Sequence, residues 1–315
     1  MTEDLVAVCV CTYNRPRQLA RLLDSLLKLA RPAATMFVIV DNDSGTPETR
    51  DPVRKFREQC GAPVEYVVEA RPGISAARNA GFAAARRAGA RMLAMLDDDE
   101  WATSDWLMKL LETRNATGAG VVGGPVYPVF TAQKQKSGKY EKLWSVQKGS
   151  LNGRLYVYCT CNCLVDLSAA AFLGDHPFPE QFGLTGGEDA VFFRRLHFAG
   201  VVMAWSDEAV LFEEIREDRA TFGWLRRRWY RHGNAGVRCE RAAPDPRGLS
   251  PLLRTALLCA RLPVYPLVNR KAFDAPLIWM LEAEKVRGRI ACHLGMVLEE
   301  YGRPGKPRRA GQASR

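Results

Sequence analysis

Met92-Leu93-Ala94-Met95-Leu96-Asp97-Asp98-Asp99-Glu100 decides the fold. Five apolar residues run straight into four acids. A short apolar run of this kind reads as a strand buried on both faces, which puts the carboxylates at its C-terminal end. Carboxylates crowded there repel one another unless a cation or a proton neutralises them. A divalent metal with oxygen ligands does so. The plainer alternative is an N-cap and a solvated first turn, where acids suit the helix dipole. The buried strand before the acids and Trp101 after them favour the metal.

Outward from this stretch the pattern repeats. Strands are expected at 5–11, 36–40 and 64–68. Helices are expected at 17–29, with leucines at 19, 22, 23, 26, 27 and 29, and at 46–60, 75–88 and 106–114. Strands alternating with helices predict an α/β fold with a mostly parallel central sheet flanked by helices. Ligands bind such sheets beyond the carboxyl ends of the strands. Thr12-Tyr13-Asn14-Arg15, Asp41-Asn42-Asp43 and Asp97-Asp98-Asp99 all fall at such ends. After residue 121 the pattern loosens into short strand-like pieces over 126–165, a loop at 178–187 and a helix at 188–200. A short apolar segment follows at 209–212, then a basic, aromatic one at 222–232. Prolines multiply past residue 242, and the Gly/Pro/Arg-rich stretch 303–315 reads as disordered.

The 315 residues suffice for one large core with a small annex. A net charge of +10 calls for an anionic partner: nucleic acid, anionic lipid or a phosphorylated substrate. Nine cysteines form no C-x-x-C pair and read as reduced, buried residues. The start, Met-Thr-Glu-Asp-Leu, lacks a signal peptide's basic flank, and no apolar run reaches the roughly 20 residues that span a bilayer.

Several motifs have two readings. Gly118-Ala119-Gly120-Val121-Val122-Gly123 spells a dinucleotide fingerprint but follows a helix rather than a strand, so it is a decoy. Asp41 either caps a turn or accepts hydrogen bonds from a base or ribose. Arg71 and Arg78 flank Pro72-Gly73 at a helix start, where backbone donors and cations suit phosphate; the alternative is a surface helix with solvated arginines. Glu188-Asp189 follow Gly186-Gly187 and either cap a helix or carry an acid into a cleft as general base. Arg226 to Arg231, with Trp229 and Tyr230 among them, suits nucleic acid, a diphosphate, a stacked sugar ring or anionic lipid. His176, His197, His232 and His293 show no catalytic or metal-ligand spacing and read as structural.

Together these motifs resemble family 2 glycosyltransferases, the inverting GT-A class. The resemblance rests on Thr12-Tyr13-Asn14-Arg15-Pro16, Asp41-Asn42, Gly73 through Asn79, Asp97-Asp98-Asp99 and Gly187-Glu188-Asp189, in the family's order and spacing. It covers about residues 5–240. Leu96 to Glu100, Cys161-Asn162, Gly186 to Asp189 and Trp224 look, more narrowly, like the succinoglycan-type exopolysaccharide glucosyltransferases. The resemblance implies that Thr12, Tyr13, Arg15 and Asp41 hold a nucleotide, usually UDP, with Asn42 as an alternative base reader. Arg78 approaches ribose or phosphate. Asp97 contacts ribose and metal, Asp98 belongs with the nucleotide-sugar contacts, and Asp99 binds Mn²⁺ or Mg²⁺. Asp189 is the base, with Glu188 beside it near the acceptor.

The chain departs from the family's pattern twice. Where many relatives carry a histidine that completes the metal site, it reads Leu211-Phe212-Glu213. Where processive synthases carry Gln-x-x-Arg-Trp, it has Leu225 before Arg228-Trp229, which implies single-sugar transfer. The implied organisation is a glycosyltransferase domain over 1–242, divided into a nucleotide-sugar half (1–100) and an acceptor half (101–242). A helical annex over 243–302 and a basic tail over 303–315 follow. In the annex Leu252, Leu253, Ala256, Leu257 and Ala260 recur at helical spacing, which suits an amphipathic helix on an anionic membrane surface or one packed on protein. A saccharide acceptor on a lipid diphosphate, at the cytoplasmic face of the plasma membrane, then accounts for the charge without nucleic acid. The competing classes are a sugar-1-phosphate nucleotidylyltransferase, whose Gly-rich N-terminal loop is missing here, and a noncatalytic glycan- or nucleotide-binding module.

Overall fold

Alternation along the strands builds two cores from one sheet. In β1 (Val6–Thr12), Val6, Val8 and Val10 face one way and Ala7 and Cys9 the other. β2 (Thr35–Asp41) divides Phe37 and Ile39 from Met36, Val38 and Val40. β3 (Val64–Val68) lies at the sheet's edge. β4 (Met92–Asp97) divides Met92, Ala94 and Leu96 from Leu93 and Met95. Strands apolar on both sides need a helix layer over each face, and parallel pairing supplies the crossovers. α1 (Pro16–Leu26) and α2 (Pro47–Gln59) contribute Leu19, Leu22, Leu26, Val53 and Phe56 to one core. α3 (Ile74–Arg87) contributes Ala77, Phe82 and Ala85 to the other. Gly81 lets α3 sit close on β1, since a Cβ there would lie 2.4 Å from Cys9 Sγ.

This computed structural model describes residues 4–42, 45–131, 141–246, 248–265 and 275–299; Asp43 and the basic tail lie outside the described residues. The chain continues through β5 (Glu100–Ala102), α4 (Trp106–Thr117), β6 (Val121–Gly123) and β7 (Val126–Phe130). Next come β8 (Gly149–Leu151), β9 (Arg154–Tyr156), β10 (Cys163–Asp166), α5 (Glu188–Phe198), β11 (Met203–Trp205) and β12 (Leu211–Ile215). It ends in α6 (Phe222–Ala242), α7 (Pro251–Arg261) and α8 (Ala275–His293). The main sheet has the order β11-β6-β10-β4-β1-β2-β3, and β5, β12 and β7 form a second sheet. β1 to β4 pair in parallel, while β10 runs antiparallel to β4 and β6. The mostly parallel sheet expected from the sequence is therefore present. The glycine decoy behaves as read: left-handed Gly118 ends α4, and Val121 to Gly123 form β6.

β2 and β3 lie on one side of β1 and β4 on the other, so the order reverses between β1 and β4. That crevice is where open sheets hold ligands. Register aligns the strand ends there, Thr12 opposite Asp41 and Cys11 opposite Asp97.

The basic segment at 222–232 is the first half of the 21-residue α6, which runs to Ala242. α8 crosses α6 backbone to backbone: a Cβ on Gly233 or Gly288 would lie 1.9 Å from the Lys285 or Tyr230 carbonyl oxygen. Buried Arg289 forks onto Glu240 at 3.0 and 2.7 Å, and Arg226 Nε donates to Glu284 at 2.8 Å. α6 ends at Ala242, and α8 packs on it. α7 buries Thr255 and leaves Leu252, Leu253 and Leu257 exposed.

Candidate active site

The end of β1 and the acidic run close on each other across the crevice. Thr12 Oγ1 donates to Asp98 Oδ2 at 2.8 Å, and both side chains are buried. Left-handed Asn14 (φ 51°) turns the chain out of β1, a conformation asparagine tolerates better than most residues. Arg15 then points back, its Nη1 lying 2.8 Å from Asp98 Oδ1 and 3.0 Å from Asp99 Oδ2. Burial opposes the Arg15 charge, but Asp98 and Asp99 overcome it and hold the guanidinium protonated. Burial raises the Asp98 carboxyl to about 6 against the pull of Arg15. Tyr13 beside them is exposed.

At the neighbouring strand end, buried Asp41 accepts a 2.6 Å hydrogen bond from the Tyr66 hydroxyl. Asn42 spends its amide on the loop before α3. Its Nδ2 donates to the carbonyls of Glu69 (2.9 Å) and Arg71 (2.7 Å), and its Oδ1 accepts from Gly73 N at 3.1 Å. Gly73 has φ 111° and packs on Gly183, where a Cβ would come within 2.8 Å of backbone. Arg71 turns to the surface and pairs with Glu69 and Glu180.

Arg78 bridges the two halves of the crevice. Buried on α3, it pairs through Nη1 with Glu188 and through Nη2 with Asp97 at 3.3 Å. Asp97 is the open member of the run, its side chain 42% exposed. Glu188 is 2% exposed, and its second oxygen is buried without a hydrogen-bond partner. Burial, opposed by Arg78, raises the Glu188 carboxyl to about 7. Asp189, one residue on, is half-buried at the start of α5 and accepts from Ala190 N at 2.7 Å. Arg78 links its neighbour Glu188 to Asp97.

Glu100, the fourth acid of the run, has a bracing part in the site, and Arg219 is a neighbour that the sequence reading missed. Buried Glu100 accepts from Asp97 N at 2.7 Å, bracing the acidic turn from below, and pairs across strands with Glu213. Arg219 reaches Asp99 Oδ2 at 3.2 Å and lies 3.8 Å from Glu213. It is one of five charged residues in the six from Glu214 to Arg219, and nothing in that run marks the one that faces a cleft 120 residues back along the chain. Burial and Asp99 raise the Glu213 carboxyl to about 7 against Arg228. In the basic segment Arg226 pairs with Glu284, and the Arg228 charge acts on Glu213.

Among the described residues no three His, Cys, Asp or Glu side chains converge as a closed metal cage. The donor set is nevertheless hard carboxylate oxygen from Asp97 and Asp99, with Glu213 near Asp99. That fits an ion of the Mg²⁺ type, which takes one or two carboxylates and completes its shell with substrate phosphates and water.

The description "Glycosyl transferase family 2" matches residues 7–172. The succinoglycan biosynthesis protein ExoM of Rhizobium meliloti is 37% identical over 232 residues, 72% of each chain. Among solved structures, the mannosyltransferase PcManGT of Pyrobaculum calidifontis, in complex with GDP-Man and Mn²⁺, superposes with a TM-score of 0.61. It is 17% identical, over 93% of this chain and 88% of that one. S. aureus TarS 1–349 in complex with UDP gives a TM-score of 0.51 at 17% identity, over 96% and 98%. The fold is the GT-A fold that the sequence implied. By fold, by family match and by likeness to ExoM, the chain belongs to glycosyltransferase family 2 and is a glycosyltransferase.

Proposed function

We propose that this enzyme moves one hexose from a UDP-sugar, with Mn²⁺ or Mg²⁺, to a hydroxyl of a saccharide carried on a lipid diphosphate. The transfer inverts the anomeric carbon and serves surface polysaccharide synthesis. One observation carries the reading: Asp97 to Asp99 stand at the crevice between β1 and β4, and Arg78 ties Asp97 to Glu188, the residue before Asp189. ExoM's name supports the polysaccharide context. The UDP held by TarS and the GDP-Man and Mn²⁺ held by PcManGT support a nucleotide sugar and a divalent ion.

In this reading Thr12, Tyr13, Arg15 and Asp41 line the nucleotide's place. Asn42 shapes the loop beside it rather than reading the base. A bound divalent ion would be held by Asp97 and Asp99 and would neutralise charge on the departing diphosphate. Arg15 and Arg219, which flank Asp99, add cations for the same phosphates. Asp189 takes the proton as the acceptor hydroxyl forms its bond to the anomeric carbon and the bond to the diphosphate breaks. One displacement suffices, so no covalent enzyme intermediate forms. Glu188 is too buried to meet an acceptor; it fixes Arg78, and Arg78 fixes Asp97.

The test is a screen of nucleotide sugars by thermal shift and donor hydrolysis, with and without EDTA. The expected result is stabilisation and slow hydrolysis with a UDP-hexose, lost on chelation. A donor profile indifferent to the chelator overturns the metal assignment, and preference for another nucleotide overturns UDP.

The outward apolar face of α7 supports a place on the inner face of the plasma membrane. Among the described residues no helix is long and apolar enough to cross a bilayer.

A further inference from the structure

We infer that a cavity behind the Gly186-Gly187 loop binds the phosphate end of an amphiphilic acceptor, whose apolar chain leaves over the C-terminal end of α8. This rests on the glycosyltransferase reading above and gives its acceptor a place.

The cavity holds about 420 Å³ and is lined by Phe182, Thr185, Arg238, Arg241, Ala242 and Val297, among others. Arg238 is its central cation. It donates to Thr185 Oγ1 and, at 3.4 Å, to the carbonyls of Thr185 and Gly186. Its guanidinium carbon lies 5.3 Å from the Phe182 ring centroid, and its Nε is buried without a hydrogen-bond partner. The nearest carboxylate it feels is Glu188, which is already paired with Arg78. A half-buried cation answered by two carbonyls, a hydroxyl and a ring face, with no paired carboxylate among the described residues, is incompletely compensated and favours an incoming anion. Arg241 supplies a second guanidinium to the same cavity, its Nη2 lying 3.1 Å from His293 Nδ1. Two guanidiniums with donors to spare match the oxygens of a phosphate or diphosphate.

Apart from Gln181 and Thr185, the rest of the lining is apolar. Phe182, Ala242 and Val297 are apolar, and Leu294, Met296 and Leu298, close to Val297 in the chain, are 71%, 53% and 41% exposed. Thr255 of α7 bonds His293 Nε2 at 3.1 Å, so α7 packs beside the end of α8 from which these residues run on. Charge at the bottom and hydrocarbon at the lip describe an amphiphile. The loop that Arg238 grips leads directly into Glu188 and Asp189, and the Cys239 thiol donates to Gly187 O at 3.3 Å. An acceptor anchored here has its saccharide beside the proposed base.

The test uses farnesyl diphosphate, inorganic pyrophosphate and farnesol as probes, titrated calorimetrically into the full chain in EDTA, so that no metal-dependent donor site competes. Farnesyl diphosphate is expected to bind more tightly than either of the others. Arg241→Gln is expected to weaken it by about tenfold or more, the loss of one charge-assisted contact. Val297→Asp is expected to weaken farnesyl diphosphate but not pyrophosphate. Both positions are exposed, and melting temperatures check that the variants fold. Equal binding of pyrophosphate and farnesyl diphosphate overturns the amphiphile. Binding unchanged in both variants, or none in the wild type, overturns the site. Donor hydrolysis without acceptor is measured in parallel; its absence counts against the glycosyltransfer reading and leaves the binding result to stand or fall alone.

Discussion

Arg78 carries more of this site than any one acid, because two carboxylates from opposite sides of the crevice depend on it. Arg78→Leu leaves Glu188 buried without its cation. Breaking such a pair costs about 3–5 kcal/mol. Urea denaturation is expected to show that loss, and Arg78→Leu/Glu188→Leu to recover part of it. An unshifted midpoint in the single variant refutes the bridge. Asp189→Asn is expected to behave differently. It keeps the fold and UDP-sugar binding and lowers transfer by about 10²–10⁴, the range for general-base loss; near-normal transfer removes Asp189 as the base. Asp97, Asp98 and Asp99 were legible because they form a run after an apolar strand. Glu188 and Asp189 were legible as a pair, and the resemblance named Asp189 as the base with Glu188 near the acceptor; the burial of Glu188 was not legible, because adjacent residues in a sequence carry no sign of which one faces inward.

Gly288 shows how an element can overrule a residue's own preference. Alanine at a helix interior is favoured over glycine by about 1 kcal/mol. Here the new Cβ would lie 1.9 Å from the Tyr230 carbonyl oxygen, so Gly288→Ala is expected to destabilise by about 1–3 kcal/mol instead. A raised melting temperature refutes close packing of α6 on α8. The contrast with the sheet explains what was legible. β1, β2 and β4 are apolar on both faces, so each announces itself as a continuous run. α8 buries Glu284, Gly288 and Arg289 alongside Leu281 and Val286, because ion pairs and glycines make its contact with α6. Its inner face therefore shows no apolar period. α7 is the reverse case, with a regular apolar stripe that faces outward.

Across the whole molecule, acids held above their ordinary range make stability fall with rising pH. Burial lifts Asp98 from 3.8 to about 6, and Glu188 and Glu213 from 4.5 to about 7. Each binds its proton more firmly folded than unfolded, so its contribution is whole below about pH 4 and is lost as pH rises towards 7. Metal-free protein is expected to melt at progressively lower temperature between pH 5 and pH 8. Glu213→Gln, which mimics the protonated acid, is expected to flatten that fall, and an unchanged slope removes Glu213 from the account.

The remaining whole-molecule property is where the enzyme works. A net charge of +10 attracts any anionic surface, but charge alone gives weak adhesion that salt screens. Leu252, Leu253 and Leu257 are 65%, 47% and 51% exposed on α7, and their burial in lipid adds a part that salt does not remove. Arg261 is exposed beside them, whereas Arg254 is drawn inward to Glu240 at 3.6 Å. Deleting the annex is a poor test, because it strips α8 from α6 and breaks the buried Arg289–Glu240 pair. Leu252→Asp/Leu257→Asp alters the outward face alone. The wild type is expected to sediment with phosphatidylglycerol-containing vesicles and to remain partly bound at high salt, and the double variant to be released fully. Equal retention of the two overturns α7 as the membrane face, and no sedimentation at all overturns the peripheral location.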